Sequence, residues 1–227
     1  MIPQHIEIPS EVPVMTLSHT VLFPQAIMPL FIFEPRYKEM LHDVLHQDRI
    51  FAVAALDQRS NQTDLAEKPY LTAGIGLIRA CKQNPDGSSN LVLQGFARVG
   101  FESILAEKPY CRASVRHILS EPGGPQDRIA RMQAQLLGLI QTQQRLGAGI
   151  PKEVLHVLSM IKEPENRLDL AISTLCSSVT LKQELLETRG ILPRYQKFAA
   201  FLKPEIQRLK LERHLKGPLD DGDIDNN

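Results

Sequence analysis

The sequence predicts an α+β protein: a small closed or half-closed β-barrel with one packed helix, followed by a C-terminal helical bundle. Three observations predict it. From Val12 to Leu119, short apolar runs alternate with turn residues in the manner of strands. From Gln126 to Leu215, apolar residues recur at three- and four-residue spacing in the manner of helices. Between them lies Ser120-Glu121-Pro122-Gly123-Gly124-Pro125, whose prolines and glycines disfavour both and mark a linker. The expected organisation is a barrel over 1–119, a linker over 120–125, a helical unit over 126–216 and a disordered acidic tail over 217–227.

Taken in order, Val12-Pro13-Val14-Met15-Thr16-Leu17 is a short strand with proline near its start, as suits a strand beginning or an edge. Ile27-Met28-Pro29-Leu30-Phe31-Ile32-Phe33 is apolar at every position, so a strand covered on both faces is expected. Pro35 suits a first helical position, and Tyr37, Met40, Leu41, Val44 and Leu45 then form one apolar face. Lys38, Glu39, His42, Asp43 and His46 fall on the other face. Ile50 to Leu56 returns to a strand, and Asp57 to Pro69 is a polar loop. Ala73 to Gln83 and Leu91 to Leu93 flank Asn84-Pro85-Asp86-Gly87, a turn in which proline fixes φ and glycine accepts a positive one. Val99–Leu105 and Arg112–Leu119 complete six or seven strands.

The helical half opens on Ile129, Met132, Leu136 and Ile140. Pro151 and Pro164 start two further helices, and Thr180 with Gln183 forms a capping box for a short fourth that Gly190 closes. A long last helix runs from about Pro193 to Leu215 with Phe198, Leu202, Ile206 and Leu209 in line, kinked at Pro204 because proline removes one helical hydrogen bond.

Composition narrows the function. The chain has 227 residues, 43% hydrophobic and 23% charged, enough for an ordinary soluble core. With no Trp, that core is mostly aliphatic. Lys+Arg and Asp+Glu balance at 26 each, so the chain lacks the long-range field that draws proteins onto nucleic acid or anionic membrane. Cys81, Cys111 and Cys176 are odd in number and widely spaced, which excludes a disulfide framework and suits a reducing cytoplasm. Met1 to Glu11 lacks the basic-then-apolar pattern of a secretory signal, and no stretch approaches the roughly 20 apolar residues of a membrane span. A soluble cytoplasmic protein is expected.

Catalytic motifs are missing. There is no GxxxxGK[ST], no GxSxG, and Gly74-Ile75-Gly76-Leu77-Ile78-Arg79 fails GxGxxG at its last place. His42 and His46, four apart on one helix, are spaced to share a metal, but Asp43 stands where a zincin has Glu. They also fall on the solvated face, so no metal site is expected. Lys203, Arg208, Lys210, Arg213 and Lys216 on the last helix read as a solvated face, with Glu205–Arg208 and Glu212–Lys216 as helix-neighbour ion pairs.

A resemblance emerges from the motifs in order. Val21-Leu22-Phe23-Pro24, then Met28-Pro29-Leu30-Phe31-Ile32-Phe33-Glu34-Pro35-Arg36-Tyr37, resembles the opening of the Lon N-terminal (substrate-binding) domain, in the form seen in stand-alone bacterial Lon-domain proteins. Thr72 to Ile78, the turn Pro85-Asp86-Gly87, Leu93 to Val99 and Lys182-Gln183-Glu184-Leu185-Leu186-Glu187 are similar to later family segments, and the likeness covers about residues 12–215. It implies a PUA-like barrel followed by a helical bundle. It also implies a role in proteolysis and protein quality control: recognising unfolded or damaged polypeptide, or a partner protein. The ATPase P-loop and the Ser-Lys protease module of Lon do not come with it, so no enzyme activity, cofactor or catalytic residue is expected. Arg36, Tyr37 and Phe33 are the candidate peptide-binding residues, with the client held in a groove between barrel and helices. The alternative is an RNA-binding PUA-like module, which neutral charge argues against; a hydrolase without a recognisable motif ranks last.

Overall fold

The computed structural model describes residues 6–57, 68–105 and 109–216. Most of the polar loop expected between Asp57 and Pro69 lies outside the described residues, as do the chain start and the tail over 217–227.

Six strands form one sheet: β1 (Glu11–Leu17), β2 (Ile27–Ile32), β3 (Ile50–Ala55), β4 (Thr72–Gln83), β5 (Ser89–Leu105) and β6 (Cys111–His117). β1 pairs parallel with β3, and all other pairings are antiparallel: β3 with β4, β4 with β5, β5 with β6, and β6 with β1. The ladder therefore returns to the strand it began on, while β2 hangs on the first part of β5. The two runs expected at Leu91–Leu93 and Val99–Leu105 are one strand of 17 residues. β5 stays continuous by absorbing register shifts against β4 and β6, which bend it without ending it. The expected hairpin turn is present: Ser88 accepts from the Asn84 amide at 2.8 Å, and Gly87 has φ +76°.

β3 shows why the sheet is stable. All six of its residues are buried. Side chains alternate across a strand, so Ile50, Ala52 and Ala54 join a cluster drawn only from the five strands of the closed ladder. Phe51, Val53 and Ala55 join the larger core with the helices.

Gly74, from the failed nucleotide motif, and Gly95 have a packing role. The chain from Leu22 to Phe23 crosses the sheet so closely that a Cβ on Gly74 would lie 2.0 Å from the Leu22 carbonyl oxygen. A Cβ on Gly95 would lie 2.1 Å from that of Phe23. Backbone bonds from Gln25 to Gly95 and from Gly95 to Ala26 fix the crossing, both at 2.9 Å.

Helix α1 (Pro35–Leu45) starts with Pro35 in its first turn and buries Tyr37, Met40, Leu41 and Val44, as its spacing requires. After the strands come α2 (Gln126–Arg145), α3 (Lys152–Met160), α4 (Pro164–Leu175), α5 (Val179–Glu187) and α6 (Ile191–Lys216). α6 packs on α2, α4 and α5, and α5 also reaches β4. Two capping expectations are corrected. The α5 N-cap is Ser178, whose hydroxyl accepts from the Leu181 amide at 3.2 Å. Gln183 is instead buried and donates to the Thr72 carbonyl. The helix ends at Thr188 in an extended conformation, so Gly190 is not its cap. Gly190 packs against Pro193, and its neighbours Arg189 and Ile191 bond to Glu121.

The segment expected as a linker is strapped down. Ile191 and Leu192 donate to the carbonyls of Glu121 and Pro122 at 2.8 and 3.0 Å. Beside this strap lies a buried ion cluster. Arg98, on β5, donates to the carbonyls of Leu186 and Thr188 at the end of α5, at 3.0 and 3.1 Å, and to Ser120 and Glu165. A cation is favoured there because the last helical carbonyls lack internal partners. Arg194, at the start of α6, pairs with Asp169 at 2.5 Å and Glu165 at 2.8 Å. Ser120 accepts from both guanidiniums and donates to Glu165. Arg194 and Asp169 are both 0% exposed, so solvent does not screen that pair, whereas Glu165 is 34% exposed.

Burial pushes the Asp169 carboxyl up to about 7 against the pull of Arg194, with Glu165 adding to the rise and Arg98 opposing it. Glu165 behaves oppositely. Burial works against its charge, yet the Ser120 hydrogen bond and the two arginines hold it below the usual carboxylate range.

Removing one member strands its partner in the interior. Arg194→Ala is expected to lower unfolding free energy by about 3–5 kcal/mol, read from urea denaturation. The raised Asp169 value means the folded chain holds that proton more tightly than the unfolded one. Its contribution is complete below about pH 4 and lost as pH rises through about 7. Between about pH 4 and about pH 7, stability should therefore fall more steeply in the parent than in Asp169→Asn; parallel urea midpoints across that range would refute this.

Candidate functional site

β2 has a ladder on one side only. It pairs with β5 from Ile27 opposite Gln94 to Ile32 opposite Ser89, and among the described residues no strand lies on its other edge. Met28, Leu30 and Ile32 turn toward the main core, while alternate residues face out. Ile27 is 57% exposed, Phe31 54% and Phe33 60%, and Pro29 is exposed between them. The rings of Phe31 and Phe33 stack at 5.8 Å. Single exposed apolar residues are ordinary; a row of them on one face makes this strand the candidate interaction surface.

The strip extends across the sheet. Pro29 lies opposite Val92 and Val92 opposite Ala80; Phe31 lies opposite Asn90 and Asn90 opposite Lys82. These six residues help to line a groove of about 460 Å³.

The predicted site residues separate in depth. Phe33 continues the row just beyond β2. Arg36 is exposed, bonds Glu34 at 2.9 Å and lies 4.7 Å from the centre of the Tyr37 ring. Tyr37 is buried beneath it, with its hydroxyl donating to the Thr16 carbonyl and accepting from the Thr16 amide. Phe33 and Arg36 thus offer surface, while Tyr37 supplies the floor and ties α1 to β1.

Sequence reasoning missed Ile27 and Phe31. An uninterrupted apolar run reads as a covered strand, yet β2 is an edge. The available signal was Pro29, since a mid-strand proline cannot donate to a ladder and belongs at an edge. At the junction of strands and helices, a crevice of about 190 Å³ joins apolar residues, among them Phe96 and Leu119, to Arg98, Glu165 and Asp169 of the ion cluster. Burial, with Arg98 beside it, holds the His117 imidazole below its ordinary range. Of the cysteines, Cys176 is buried and Cys81 and Cys111 are half-buried. Burial raises the thiols of Cys111 and Cys176 above their usual value, which disfavours the reactive thiolate. No described helix is long and apolar enough to cross a membrane.

The comparisons agree with this architecture. Residues 11–203 match the family described as the ATP-dependent protease La (LON) substrate-binding domain. The chain belongs to that family. Among curated relatives, Lon protease of Desulfosudis oleivorans is 27% identical over 206 residues, covering 90% of this chain and 25% of that protein. Lon protease 2 of Herpetosiphon aurantiacus is 28% identical over 210 residues, covering 91% of this chain and 25% of that protein. The chain thus spans about a quarter of the length of these relatives. Two solved structures share the fold. The N-terminal domain of Mycobacterium avium complex Lon protease has a TM-score of 0.65 at 16% identity, covering 85% of this chain and 98% of that one. A Lon N-terminal domain protein from Xanthomonas campestris has a TM-score of 0.57 at 17% identity with the same coverage.

Proposed function

We propose that this domain holds unfolded or damaged polypeptide, without catalysing any reaction on it, and that the β2 strip is where it does so. The carrying observation is the exposed row Ile27, Phe31 and Phe33 on a strand with one unpaired edge. An unfolded chain offers what this surface lacks: apolar side chains at two-residue spacing, and main-chain donors and acceptors for an open strand edge. A folded protein hides both. Arg36 and Glu34 sit at the end of the row and fix its polar limit, and Tyr37 supports Arg36 from below. Membership of the Lon substrate-binding family supports the same reading, as do the curated relatives, which carry the name Lon protease. In this reading the closed ladder is a PUA-like β-barrel over 1–119, the helices over 126–216 are a bundle behind it, and 120–125 joins the two.

The test is fluorescence anisotropy of a labelled, permanently unfolded polypeptide titrated with this protein, with the folded form of the same polypeptide and a labelled RNA as controls. Saturable binding to the unfolded chain alone is expected. The pair Phe31→Ser and Phe33→Ser should weaken it about tenfold or more, while the melting temperature holds because both rings are already in solvent. Binding to RNA alone, falling steeply with salt, would replace this reading with nucleic-acid recognition.

A further inference from the structure

His42 lies in the last turn of α1 and His46 caps its C-terminal end; both are exposed. The sequence leaves them as a solvated pair. The structure adds two facts. Their ring centroids are 4.6 Å apart with the planes tilted by 48°. The Nδ1 atom of His46 lies 2.7 Å from the His42 carbonyl oxygen.

The second fact sets the tautomer. A carbonyl oxygen can only accept, so Nδ1 of His46 carries the hydrogen, and in the neutral ring Nε2 keeps the lone pair. Metal-binding histidines are oriented in this way, with the far ring nitrogen donating to a carbonyl or carboxylate. The ring of His42 makes no hydrogen bond among the described residues, so it too has a lone pair to give.

The first fact gives the angle at an ion that one nitrogen of each ring would share. A metal–nitrogen bond of about 2.0 Å, plus about 1.2 Å from nitrogen to ring centre, places a bound ion about 3.2 Å from each centroid. Two centroids 4.6 Å apart then subtend about 90° at the ion, since 2 × 3.2 × sin 45° is about 4.5 Å. Adjacent positions of a tetragonal or square-planar ion have that separation, which suits Cu²⁺ and Ni²⁺, and imidazole is a good ligand for both. No group of three or more His, Cys, Asp or Glu among the described residues is arranged to hold a metal. Water completes the coordination, and the hard ions Mg²⁺ and Ca²⁺, which select oxygen donors, are excluded.

We propose that His42 and His46 form a two-imidazole chelate on α1 for a late first-row divalent ion, with Cu²⁺ held most tightly. Binding cross-links the final turn of the helix across one residue step of four, so it also stabilises that turn.

The experiment titrates Cu²⁺, Ni²⁺ and Mg²⁺ into the untagged full chain after treatment with chelator, with calorimetry and Cu²⁺ electron paramagnetic resonance as readouts. One equivalent of Cu²⁺ is expected, with hyperfine splitting from two nitrogens, weaker binding of Ni²⁺ and none of Mg²⁺. The sequence has seven histidines, so the control must preserve their number. The double variant His46→Gln with Gln47→His keeps all seven and breaks only the spacing. It should lose the two-nitrogen signal, as should His42→Ala, and Cu²⁺ should raise the melting temperature of the parent alone. A two-nitrogen signal that survives in the double variant, or its absence from the parent, would overturn the proposal. All the substituted positions are exposed, and circular dichroism of the metal-free variants confirms that they fold.

Discussion

The arrangement of sheet and helices depends on one buried contact set, in which Arg98 and Arg194 share Glu165 and Ser120 while Arg194 also holds Asp169. Apolar packing is non-directional and would tolerate many ways of laying helices on a sheet. Guanidiniums are planar, with donors in a fixed fork. A pair of them that must satisfy two carboxylates, a hydroxyl and two helix-end carbonyls admits few arrangements. Arg98 comes from β5, Glu165 and Asp169 from α4, the carbonyls from the end of α5 and Arg194 from α6, so the cluster sets four elements at once. Its net charge is zero when both carboxylates are ionised, which limits the penalty of taking four charges out of water. Asp169 Oδ2 and Arg194 Nε nevertheless remain without partners, and burial leaves Asp169 the member most ready to accept a proton.

The sheet achieves closeness differently. Where the chain from Leu22 to Phe23 crosses β4 and β5, backbone meets backbone, and Gly74 and Gly95 are the positions that permit it. In the cluster shared by the closed ladder, Ala52, Ala54, Ala73, Ala97 and Ala113 pack among Val12, Val14, Ile50, Ile75, Val99 and Phe101. Phe51, Met40 and Leu93 lie in the core toward the helices. The exposed row on β2 and the core are made of similar residues, and what covers each sheet face decides which of them meet water.

Much of this was legible in the sequence, because local chemistry carried it. Pro35 with the spacing Tyr37, Met40, Leu41 and Val44 fixed α1, and Asn84 to Gly87 fixed the hairpin. The family itself was legible from ordered short motifs. What was illegible is what depends on distant partners. Nothing near Arg98 announces that it will meet Arg194, and Gln183 reads as a capping residue until Thr72 is known to lie against it. β2 is the sharpest case. Its composition says interior, yet no described element covers the outer face of β2, and Ile27 and Phe31 lie exposed there. Phe33 and Arg36 were singled out from motif alone. Tyr37 was singled out with them, although its hydrogen bonds to Thr16 give it a supporting place below the surface.

The length of β5 has a mechanical consequence. It is the one strand bonded to three others: β4 along one side, and β2 and then β6 along the other. A tug along a segment lying on β2 acts parallel to the strands, so the six residue pairs joining β2 to β5 resist together instead of opening one after another. The load passes through β5 into the closed ladder and, at Arg98, into the helices. A surface anchored in this way can be pulled on without being peeled away from the body that carries it.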